Sequence, residues 1–178
     1  MDSDDQLDPN ATRLLVEAAE ETQADLVICN YCSVMPDGKT TVHGFMQPYT
    51  KMDKAQFARC LMEEPASFYY GVMWNKLYRA DLVRAHTDVR CSEEMTWSED
   101  LYFNLTYIRY AERFFALTAP IYNYYDNPGS AVHLTKVRTA ITARTALFSY
   151  YKELYEQLGL YEENKLQIFK YLISSSET

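Results

Sequence analysis

The sequence predicts an α/β fold, and three observations carry that prediction. Helix-start signals alternate with short apolar runs over the first 135 residues. The run from Asp25 to Tyr31 has the length and apolar density of a buried strand, bounded by polar residues. From Lys136 onward the pattern is helical, with a break at Gly159. The chain has 178 residues, 48% hydrophobic and 24% charged, which is enough to bury the core of one domain with a helical appendage.

The elements follow in order. Asp8-Pro9 opens a first helix, with a capping carboxylate before a proline at the first helical position. That helix runs to about Thr22, and Leu14, Leu15, Ala18 and Ala19 form its apolar stripe. After the strand at 25–31, Pro36-Asp37-Gly38 marks a turn and 40–43 is its return strand. Asp53 caps a second helix that ends before Pro65. The apolar segment 71–78 carries an embedded Asn75-Lys76 pair, and a short helix follows over 80–84. Ser98 caps a helix over 98–111 with Glu99 and Asp100 in its first turn. Two strands, 113–117 and 121–125, join at Ala119-Pro120, and 127–130 is a turn. Helices over 136–158 and 162–173 pack as a hairpin.

Composition narrows the function. A net charge of -8 excludes the basic footprint of non-specific nucleic-acid binding. No apolar run approaches the ~20 residues of a membrane span, and no signal peptide is present. Cys29 and Cys32 have Cys-x-x-Cys spacing, but Cys29 lies in a strand pattern and Cys60 and Cys91 supply no matching pair. Free thiols in a reducing cytoplasm are the expectation. The 16 Tyr and 8 Phe suit core packing, and some suit a sugar-binding cleft.

Three clusters bear on chemistry. Asp2, Asp4 and Asp5 place three carboxylates within four residues, and hard cations are held by carboxylates together with substrate phosphates. A solvated acidic turn before a capped helix is the alternative. Glu99-Asp100 at a helix start offers a general base, or simply acids that suit the helix dipole. Lys76 is suited to neutralising phosphate or to holding a carboxylate, and Asn75 to bonding a sugar or capping a turn.

In order along the chain, the segments DSDDQLDPNA, ADLVICNY, WNKLYR, SEDLYFNL and PIYNYYDNPGSAVH resemble family 2 glycosyltransferases of the GT-A fold, of the bacterial polysaccharide-assembly type. The resemblance covers about residues 1–135. It implies the C-terminal portion of a Rossmann-like GT-A catalytic domain, followed by a helical extension over 136–178. It further implies transfer of a sugar from a nucleotide-sugar to a saccharide or lipid-linked acceptor, with inversion and with Mn²⁺ or Mg²⁺. Asp4 is then the direct metal ligand, with Asp2 nearer the nucleotide, Asp5 supporting, and His133 a further candidate. Asp100 matches the base, with Glu99 beside it, and Trp74, Asn75 and Lys76 lie near donor and acceptor.

The apolar strand, Pro-x-Tyr-Asn and Asp-Asp-Gly-Ser segments that open that family do not occur in the sequence. The expectation is an incomplete domain lacking the nucleotide-binding half, inactive alone and prone to dimerise through the bared sheet edge. Its place is the cytoplasm, with the inner membrane face left open. The alternative is a GT-A-like binding or assembly module without catalysis.

Overall fold

The computed structural model describes residues 3–44, 51–65, 67–92, 98–127 and 137–173, with side chains in the last segment over 145–171. The described strands form one six-stranded sheet, β1 Gln6–Leu7, β2 Leu26–Val34, β3 Thr40–His43, β4 Lys51–Asp53, β5 Lys76–Tyr78 and β6 Arg113–Tyr125. The helices are α1 Ala11–Thr22, α2 Lys54–Glu63, α3 Phe68–Gly71, α4 Ala80–Ala85, α5 Glu99–Ile108, α6 Val137–Gln157 and α7 Tyr161–Ile173.

Two parallel strands, β2 and β6, make the spine. On the far side of β2 lie β5 and β3, both antiparallel to it. On the far side of β6 lie β4 and β1, also antiparallel. Ala11, Cys29 and Ile121 pack on one face under α1, with Leu14 and Leu15. The other face carries the main core, where Leu26, Ile28, Phe114 and Tyr122 meet α2, α3, α5 and the α6–α7 hairpin. Tyr155 Oη donates to Ala58 O at 2.5 Å and Tyr151 Oη to Pro65 O at 2.5 Å. The hairpin is therefore pinned to α2 and shares its core.

Several boundaries differ from the sequence prediction. The first helix starts at Ala11, because Asp8 Oδ1 accepts from Asn10 N at 2.7 Å and holds a turn there instead of a cap. The residues 113–125 form one strand, and the irregularity near Pro120 is a bulge. Cys29 pairs with Leu117, Asn30 with Pro120 and Tyr31 with Tyr122. Asn30 fills the bulge by donating to Thr118 O at 3.1 Å. Gly44 packs so tightly here that a Cβ would lie 2.0 Å from Asn30 Oδ1, so any larger residue would push the Asn30 side chain off Thr118 O. Ser98 is left-handed at φ 62° and makes no side-chain cap, so α5 begins without the predicted hydroxyl bond. Asp53 does cap α2, in a reciprocal box with Gln56. Gly38 and Gly159 take φ of 82° and 67° at the predicted turn and break. The turn predicted at 127–130 lies mostly outside the described residues. β1 and β4 went unpredicted because strands of two and three residues carry no periodicity of their own.

Candidate active site at the carboxyl ends of the central strands

The parallel strands β2 and β6 run in the same direction, so their carboxyl ends share one rim of the sheet. In open α/β sheets ligands bind outside that rim. Asp4 and Asp5 reach it because β1 runs back antiparallel beside Tyr122 and Asn123. The two acids then part company. Asp5 is buried and accepts from Tyr122 Oη at 2.6 Å and from Tyr125 N at 2.9 Å. Asp4 is exposed. Asp2 and His133 lie outside the described residues.

Aromatic rings connect this acid end to α5. Tyr122 stacks on Trp74 with centroids 4.2 Å apart, and Tyr124 lies parallel to the same indole at 5.7 Å. Tyr31 meets the Trp74 edge at 4.9 Å and stacks on His43 at 4.7 Å. Burial, and then the Tyr124 charge, push the Tyr31 hydroxyl up to about 12, so it stays protonated. Next to Trp74, the Met73 amide donates to Asp100 Oδ2 at 3.0 Å. Asp5, Tyr122, Trp74, Met73 and Asp100 thus form one continuous series of contacts. Glu99 is half-buried beside Asp100 at the start of α5, where the helix dipole favours both carboxylates.

Asn75 and Lys76 turn inward. Asn75 is fully buried and donates to Tyr69 O at 3.0 Å and Cys29 O at 3.3 Å. Lys76 Nζ donates to Tyr69 O at 2.9 Å, Val72 O at 2.5 Å and Asn75 Oδ1 at 2.8 Å. Their donors are directed at the chain's own carbonyls. Asn104 belongs to the same web, with Nδ2 donating to Gly71 O at 2.6 Å and Tyr70 O at 3.1 Å. Sequence reasoning passed over Asn104. The available signal was an amide on an apolar helix four residues after Asp100, hence on the same face.

Among the described residues no group of three His, Cys, Asp or Glu side chains gathers as a ready-made metal cage. The four cysteines are unpaired thiols, and burial pushes Cys29 up to about 12. No described helix is long and apolar enough to cross a membrane.

The architecture is that of the glycosyltransferase fold. The chain superimposes on Staphylococcus aureus TarS 1–349 in complex with UDP-GlcNAc with a TM-score of 0.61 at 16% identity, over 98% of this chain and 54% of that one. On the complex with UDP the TM-score is 0.56 at 17% identity, over 90% and 45%. In sequence the chain is 32% identical over 92% of its length to a Bacillus subtilis (strain 168) protein named as a glycosyltransferase, EpsH, and covers 43% of it. It is 28% identical over 75% of its length to EpsJ of the same organism, also named as a glycosyltransferase, and covers 39% of that protein. The chain is a relative of these glycosyltransferases and spans about two fifths of their length. No protein-family model matches it.

Proposed function

We propose that this chain carries the cation-and-base side of a glycosyltransferase that moves a sugar from a nucleotide-sugar to an acceptor hydroxyl in polysaccharide or glycolipid synthesis. The single observation that carries the proposal is the contact series from Asp5 through Tyr122, Trp74 and Met73 to Asp100. It links Asp5 beside the end of β6 to Asp100 at the start of α5 through aromatic rings. The names of EpsH and EpsJ, and the UDP-GlcNAc bound by TarS, support the substrate class.

In the proposed mechanism Asp100 accepts the proton of the acceptor hydroxyl as that oxygen attacks the anomeric carbon. Attack from the face opposite the diphosphate inverts the anomeric configuration. Trp74, half-buried and stacked on Tyr122, would give the sugar ring an apolar contact. Asp4, exposed and built of hard oxygen donors, fits Mg²⁺ or Mn²⁺, with Asp2 as second donor, and Asp5 fixes the backbone beside it. The bound cation would supply positive charge for the leaving diphosphate. Asn75 and Lys76 act by holding Trp74 and its loop in place. The reaction belongs to the cytoplasm, where nucleotide-sugars are made.

The test is calorimetric titration of UDP with and without Mn²⁺. Metal-dependent binding abolished by Asp4→Ala supports the proposal. Metal-independent binding, or binding that Asp4→Ala leaves intact, favours a non-catalytic module that retains the fold.

A further inference from the structure

The buried lysine two residues after Trp74 does more than hold that loop, and it is the most deeply placed cation among the described side chains. An ammonium has three protons, and Lys76 directs them at Tyr69 O, Val72 O and Asn75 Oδ1. A neutral amine has only two. Two of those acceptors are carbonyls of the turn 69–73. Asn104 binds the same turn from α5, through Tyr70 O, Gly71 O and Val72 O. The last residue of the turn gives its amide to Asp100. Asp100 and Asn104 lie one helical turn apart on α5, so one side chain grips the turn while the other is held by it.

Charge points the same way. Among the described residues no carboxylate bonds the Lys76 ammonium directly. Burial disfavours its charged form, lowering it to about 7, while Cys29 from β2 and Asp100 from α5 draw it back up. Asp100 in turn faces Lys76, Tyr78 of β5 and Cys91, and burial first, then its charge, push the Tyr78 hydroxyl and the Cys91 thiol upward. Of these groups only Lys76 is a cation.

We infer that Lys76 is a positioning residue for Asp100, fixing the 69–73 turn whose Met73 amide holds that carboxylate and attracting it with a buried positive charge. This rests on the proposed role of Asp100 as base.

The test is an NMR titration of the Asp100 carboxyl and the Lys76 Nζ group in the chain itself, which needs no turnover. It can therefore fail while metal-dependent UDP binding succeeds, and the reverse. Lys76→Met is expected to raise the Asp100 midpoint by about one pH unit, the usual effect of removing one nearby opposite charge. Coupling is reciprocal, so Asp100→Asn is expected to lower the Lys76 midpoint by the same amount. Asp100 is only half-buried, so Asp100→Asn keeps the fold and decides the matter even if Lys76→Met does not fold. The Met73 amide is expected to exchange faster with solvent in Lys76→Met. A lysine that only fills space leaves both midpoints within about 0.3 unit of wild type, well inside ordinary variation between sites, and that result overturns the inference.

Discussion

Asp25 and Asp4 stand at opposite ends of the same sheet, and their surroundings could hardly differ more. Asp25 precedes β2 and is buried. It accepts from the Glu112 and Arg113 amides at 3.0 Å and from the Arg79 and Arg113 guanidinium groups at 3.1 Å. Its own carbonyl accepts from Tyr107 Oη at 2.5 Å. Burial alone would raise its pKa, but the Arg113 side chain, the two amides and Arg79 outweigh it and hold the carboxyl below 3.8. Asp4 lies exposed at the carboxyl rim. A carboxylate whose lone pairs are filled by the protein is a fastener. One presented to solvent where a substrate can reach has capacity for a ligand. Asp5 stands between the two, at the rim but turned inward to Tyr122 and Tyr125.

The largest effect that sharpens this contrast is at Asp25. Asp25→Ala is expected to cost about 3 kcal/mol, the low end for breaking a buried pair, because both guanidinium groups it abandons are half exposed. Urea unfolding measures it. The same carboxylate gives a pH signature. Its folded pKa lies below the unfolded 3.8, so its contribution is complete above pH 3.8 and is lost as the pH falls through the folded value. The difference in urea midpoint between wild type and Asp25→Asn should therefore shrink only in acid below pH 3.8.

Asp5→Ala comes next. It leaves the Tyr122 hydroxyl and the Tyr125 amide without their acceptor and is expected to cost about 2 kcal/mol in the same assay. Asp4→Ala is expected to change stability by less than about 0.5 kcal/mol, as a surface substitution does. A cost at Asp4 as large as that at Asp5 would erase the distinction between fastener and ligand group.

The sequence carried the features that physics makes local. The apolar run at 25–31 became the core of β2, Gly38 and Gly159 mark the turns, and Asp53 caps α2. Glu99 and Asp100 do open a helix. The sequence could not carry what only pairing creates. β1 and β4 exist because β6 is long enough to receive them at both ends. Pro120 reads as a strand break, yet the bulge against Asn30 absorbs it. At the site, the types of residue were legible and their directions were not. Lys76 and Asn75 look like ligand groups in one dimension, but in three their donors go to the carbonyls of Cys29, Tyr69 and Val72. Asn104 was passed over and Tyr122 reads as one more packing tyrosine, yet Asn104 Nδ2 donates to Gly71 O and Tyr122 Oη to Asp5.

The most direct test of the contrast is paramagnetic broadening of the chain's amide NMR signals by Mn²⁺. Signals of Asp4, Gln6, Tyr124 and Tyr125 should broaden first, those of Leu26 and Arg113 should stay sharp, and Asp4→Ala should remove the effect. Broadening that begins at the Asp25 end, or that survives Asp4→Ala, would contradict a cation site at the carboxyl rim.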